Sequence, residues 1–177
     1  MNNNEVTIRD VIFGTFENRD DEIYNFNRFR ELGVKSFFSE QFEMHFEQKN
    51  ILRGFYIQDA PILQNQLYLC LSGCCRITLL DVREKSESYG KHFTISLSPE
   101  GDNNFVFVPH GVAVAFLSDE EKTSLFAFTD TPTIKDLNVV INVFDPELGC
   151  KWPEGPHIMS VLDRKAANLS ELKHNYW

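Results

Sequence analysis

The sequence predicts an all-β protein, a barrel of two facing sheets with short flanking helices. Two observations carry that prediction. Runs rich in β-branched and aromatic residues recur at near-regular spacing from about residue 36 to residue 143. Turn-forming residues bound each run, the pattern of antiparallel sandwiches and barrels. The 177 residues suit one domain with a real core, so residues 1–177 are read as a single unit.

The first expected element is a short helix in DEIYNFNRFRELG, with Gly33 as its stop. Strands follow in FFSEQFEMHFEQ, ILRGFYIQ, QLYLCLSG and CRITLLDVR. HFTISLS, NFVFVP, GVAVAFLS, TSLFAFT and LNVVINVF continue the series. Between them stand QDAP, SYGK, SPEGDN, PHG, SDEE and TDTPT, which are rich in Gly, Pro, Asp and Ser. A second helix is expected from about Ala166 to Leu172.

The net charge of −9 argues against nucleic acid, whose phosphates need a basic face. It leaves room for a small anion held by a few arginines. The first residues, MNNNEVTIRD, do not read as a signal peptide, and no apolar run is long enough to span a bilayer. Cys70, Cys74, Cys75 and Cys150 form no CxxC pair and read as small hydrophobes of a reduced, cytoplasmic protein.

More specific signals are spread along the strands. NILRGFYIQ is followed by QNQLYLCLSG, LLDVREKSESYGKHFTISLS and FVPHGVAVAFLSDEE, then by FDPELGCKWP and SVLD. In order and spacing these runs resemble the dTDP-4-dehydrorhamnose 3,5-epimerase family, over roughly residues 36 to 163. The resemblance implies a cupin-like double-stranded β-helix, or jelly roll, and a homodimer. It implies a nucleotide-diphospho-4-keto-6-deoxysugar as ligand and no metal or organic cofactor. In that family a histidine base removes a proton beside the ketone and a tyrosine delivers one from the other face. Cationic or polar groups hold the enolate oxygen and the diphosphate.

The catalytic positions depart from that pattern. Tyr56 stands at the base position, and the acid expected to hold the base falls on Ile77. The proton-donating tyrosine falls on Phe126, the expected lysine on Gln66 and a histidine on Val114. Arg53, Gln58, Gln41, Trp152 and Asp163 match, whereas NRDDEIYNF carries no clean nucleotide-gripping motif. A tyrosine, with a pKa near 10, is a poor base at neutral pH. The resemblance therefore implies a family protein with an altered acid/base set, or a non-catalytic relative that binds a sugar nucleotide or a partner protein.

Other residues could fill the missing roles. Period 2 puts Gln41, Glu43, His45 and Glu47 on one strand face. That face is either the barrel interior, where His45 could act as a base or metal ligand, or solvent. A metal-dependent cupin would rest on Glu43, His45 and Glu47 alone, without the H-x-H pair such sites use. His110 in VPHG is either a group at the barrel mouth or a solvated turn residue. Asp163 is either a site carboxylate or a helix N-cap. Arg53 faces either a ligand anion or a buried acid such as Glu43. Tyr24, Tyr68 and Tyr89 are either stacking groups or core.

Overall fold

The computed structural model describes residues 7–16, 27–31, 33–34 and 38–172. Ten strands and two short helices occur among them: β1 (Ile12–Gly14), α1 (Asn27–Glu31), β2 (Glu40–Phe46), β3 (Leu52–Gln58), β4 (Gln66–Ser72), β5 (Cys75–Asp81), β6 (His92–Leu97), β7 (Phe105–Val108), β8 (Val112–Ser118), β9 (Thr123–Thr129), β10 (Asn138–Val140) and α2 (Val161–Arg164). The strands form two antiparallel five-stranded sheets, ordered β1-β7-β4-β9-β2 and β10-β3-β8-β5-β6. The architecture is a jelly roll.

The two sheets face each other across one apolar layer. Phe46, Tyr68, Val106 and Leu125 enter it from the first sheet, and Ile77, Val114 and Phe116 from the second. Tyr56 packs against the same layer. Strands β7 and β8 are buried along their whole length rather than at alternate residues. The reason is that both outer faces are covered as well. Phe16, Phe29 and Val34 pack on Leu67, Phe105 and Phe128 outside the first sheet. Residues of the C-terminal segment, including Trp152, Met159 and Leu169, cover Leu52, Phe55 and Leu117 outside the second. Strands buried on both faces read as continuous apolar runs, which is what VAVAFL shows.

Local chemistry explains where elements stop. Gly33 takes a φ of 96° and ends α1, its N–H bonding to the Arg30 carbonyl. The part of the expected first helix before Asn27 lies outside the described residues. The last strand is shorter than LNVVINVF because Asn142 and Asp145 turn the chain, accepting from the N–H groups of Phe144 and Glu147. The expected C-terminal helix is also corrected. A capping box on Ser160 and Asp163 starts a helix at Val161, five residues before Ala166, and it ends at Arg164. Ala167 then bridges Ile141, and Leu169–Glu171 form a 3₁₀ turn capped by Asn168.

After β5 the chain is tied by a buried ion pair. Asp81 is 0% exposed and accepts from Arg83, Ser86 and Ser88. Burial pushes its carboxyl up, but these donors outweigh it and hold the pKa at about 2. All four cysteines are free thiols. Among the described residues, no helix is long and apolar enough to cross a membrane.

Candidate functional site

The site is built on a break in β3. Its pairing with β8 shifts between Arg53 and Tyr56, and Gly54 there adopts a φ of 104°. A bulge of this kind adds a residue to one strand and re-aims its side chains. Leu52 and Phe55 go to the outer layer, while Arg53 and Tyr56 both reach Asp163. Only glycine fits the break. A Cβ on Gly54 would lie 2.5 Å from the Val114 carbonyl oxygen and 2.9 Å from the Ala115 Cα. Gly54→Ala should therefore destabilise the fold by at least about 3 kcal/mol. Denaturant unfolding measures it, and a cost under 1 kcal/mol would sink this account of the bulge.

Asp163 is the centre of the cluster. It is 1% exposed and stands in the first turn of α2. Tyr56 Oη donates to its Oδ1 at 2.6 Å, and the Gly54 N–H donates to the same oxygen at 3.3 Å. Its Oδ2 accepts from Arg53 at 3.1 Å, from Ser160 Oγ at 2.6 Å and from the Ser160 N–H at 3.2 Å. Burial pushes the carboxyl up, but the donors outweigh it and hold the pKa below its ordinary value. Burial, followed by the bond to Asp163, pushes the Tyr56 hydroxyl well above its ordinary pKa. The cluster at neutral pH is thus a carboxylate, a neutral tyrosine and an arginine. The Arg53 side chain stays 36% exposed.

Sequence comparison places this geometry in a family. The family model described as dTDP-4-dehydrorhamnose 3,5-epimerase matches residues 7–171. The chain belongs to that family. It is 26% identical over 161 residues to a dTDP-4-dehydro-6-deoxyglucose 3-epimerase of a Streptomyces species, covering 90% of this chain and 82% of that one. It is 29% identical over 131 residues to the dTDP-4-dehydrorhamnose 3,5-epimerase of Escherichia coli K12, covering 70% and 67%. The crystal structure of a dTDP-4-dehydrorhamnose 3,5-epimerase from Elizabethkingia anophelis is 27% identical, with a TM-score of 0.81 and coverage of 94% and 95%.

Within this epimerase-family fold the expected positions part company. The acid that meets residue 56 is Asp163, not residue 77. Ile77 is 0% exposed in the inter-sheet layer, and Val114 joins it there. Phe126 is corrected too. On β9, Leu125 and Ala127 enter the inter-sheet layer, whereas Phe126 packs outside the first sheet, stacked on Phe128. A proton donor on β9 would have to stand at residue 125 or 127, and neither Leu nor Ala can donate.

The other candidates are mostly engaged elsewhere. Gln58 is 2% exposed and ties three backbone groups, those of Ile62, Pro132 and Ile134. Its amide serves loop geometry rather than a ligand. Trp152 packs outside the second sheet and donates to the Val143 carbonyl. Gln41, Glu43 and His45 lie exposed on β2, an edge strand, so the solvent reading of that face holds. Glu43 accepts from Ser124 and sits 3.4 Å from His45 Nε2, and its expected pairing with Arg53 is replaced by Asp163. No metal-holding cluster of His, Cys, Asp and Glu exists among the described residues. His110 is exposed on its turn, where Asn65 caps its N–H. Asp163 is not the N-cap of α2; Ser160 is. NRDDEIYNF, with Tyr24, lies outside the described residues.

Ser160, Gln64 and Tyr68 also belong to the polar framework. Tyr68 is 5% exposed and donates to Gln66 Oε1 at 2.7 Å. Ser160 had a readable signal, since Ser-x-x-Asp before a helix is a capping box.

Proposed function

We propose that the protein binds a nucleotide-diphospho-6-deoxysugar of deoxysugar biosynthesis and that its acid/base set has changed. One observation carries the second half: the Tyr56 hydroxyl donates to buried, ionised Asp163. A tyrosine whose pKa is raised cannot take a proton from carbon at neutral pH, and a carboxylate whose pKa is lowered is a weaker base still. Beside Tyr56 in its own sheet stand Val114 and Ile77, and across the layer stand Leu125 and Ala127; none of the four gives or takes a proton. Two-face proton transfer lacks its base, and the Tyr68 hydroxyl of the opposite sheet is already bonded to Gln66. Family membership and the half-exposed Arg53 guanidinium support the binding half, since a planar guanidinium suits a diphosphate. The homodimer implied by the family resemblance belongs to the same proposal.

A second reading keeps an isomerase that moves a proton on one face only. It is favoured by the survival of Arg53 and Asp163 beside residue 56. The discriminating experiment incubates the protein with dTDP-4-keto-6-deoxyglucose in heavy water. The expected result is a raised melting temperature without deuterium at the carbons flanking the ketone. A ligand at 100 times its Kd adds about 2.7 kcal/mol, and Arg53→Lys should remove most of that gain. Deuterium incorporation above buffer background would decide for the second reading.

A further inference from the structure

Among the described residues, two tyrosine hydroxyls reach the inter-sheet layer, and both have committed their protons. Tyr56 donates to Asp163 at 2.6 Å, and an ionised carboxylate can only accept. Tyr68 donates to Gln66, and the direction of that bond is set three residues away. The Thr131 carbonyl can only accept, so Gln64 must turn its Nε2 toward it, at 2.9 Å. That leaves Gln64 Oε1 to accept from Gln66 Nε2 at 2.8 Å. Gln66 Oε1 is then left to accept from Tyr68 at 2.7 Å. Neither hydroxyl can point its proton at a ligand without breaking a hydrogen bond to a buried or half-buried partner. What each can still offer is a lone pair.

A lone pair selects a donor. A ketone or enolate oxygen carries lone pairs only and would meet the Tyr56 oxygen as like against like. A sugar hydroxyl brings the proton that this oxygen lacks. Arg53 supplies donors, but its fork is equally suited to the diphosphate, so it does not restore the ketone preference at Tyr56. We infer that the site selects a nucleotide 6-deoxysugar bearing a hydroxyl, rather than a ketone, on the carbon that meets Tyr56. This rests on the nucleotide-sugar reading above and chooses the oxidation state within it. A ligand of that kind is the product of ketone reduction.

Titration calorimetry on the full chain tests this with dTDP, dTDP-4-keto-6-deoxyglucose and dTDP-6-deoxyglucose. The hydroxyl form should bind at least about tenfold tighter than the keto form, the scale of one hydrogen bond at a buried site. Tyr56→Phe should bring the ratio within about threefold. An equal or tighter keto form overturns the inference while leaving the nucleotide-sugar reading in place. Absence of binding by dTDP and both sugars overturns the two together. A ratio that survives Tyr56→Phe removes Tyr56 as its source. Where that variant fails to fold, the wild-type ratio alone decides.

Discussion

Tyr56→His should switch on proton exchange without switching on epimerisation. In wild type, residue 56 already reaches a buried carboxylate, with Tyr56 Oη 2.6 Å from Asp163 Oδ1. Ser160 and the Gly54 N–H hold that carboxylate in place, and neither depends on the tyrosine. An imidazole at residue 56 would therefore find a partner to fix its ring and tautomer, and its pKa near 6.5 suits a base at neutral pH. A positioned general base is worth about 10²- to 10⁴-fold. Deuterium should thus enter beside the ketone of dTDP-4-keto-6-deoxyglucose about a hundredfold faster than in wild type. Net inversion should stay at background, because Leu125 and Ala127 supply no proton from the opposite face and the Tyr68 hydroxyl there is committed to Gln66. Adding Phe126→Tyr should change nothing, since that side chain packs outside the first sheet. Proton NMR in heavy water reads both outcomes. Robust epimer formation by the single variant would contradict the account of the missing acid.

The strands were legible because their composition and turns are local properties. The face each side chain takes was legible only where period 2 runs unbroken. On β2 it does, so Gln41, Glu43 and His45 share a face as expected, and that face points to solvent because Met44 and Phe46 turn the other one to the inter-sheet layer. On β3 it does not. Period 2 pairs Arg53 with Phe55, whereas the bulge at Gly54 pairs Arg53 with Tyr56. A bulge depends on tertiary contact with β8, which no single-strand pattern encodes. Phe126 illustrates a one-residue slip, where a neighbouring position on β9 faces the other layer. Asp163 was visible as a capping residue or a site residue, and it is both a box partner of Ser160 and the acceptor for Tyr56. The choice offered by the sequence was not exclusive, because a carboxylate has two oxygens and several lone pairs.

Removing that carboxylate should cost more stability than removing any of the side chains bonded to it. Asp163→Ala strands the Gly54 N–H, the Ser160 pair and the Tyr56 hydroxyl, all at or near a fully buried position. Arg53, at 36% exposure, can turn toward water, so the loss falls short of a fully buried broken ion pair. The expected cost is about 3 kcal/mol at neutral pH, or roughly 10 °C in Tm for a chain of this size. Asp163→Asn should cost less, because one amide oxygen still accepts while the amide nitrogen faces donors. The pH dependence separates the charge from the packing. The folded-state pKa of Asp163 lies below its unfolded value near 3.9, so its contribution is complete above that value and lost as pH falls through the folded pKa. The stability gap between wild type and Asp163→Asn should therefore be widest at neutral pH and close progressively below about pH 4. Asp81, held at about 2, titrates at the low end of the same range in both proteins and cancels from the difference. Urea unfolding of the pair at several pH values gives the curve. A gap that stays constant from neutral pH down to about pH 3 would mean that Asp163 acts through shape alone, and the ionised Tyr56–Asp163–Arg53 cluster would have to be abandoned.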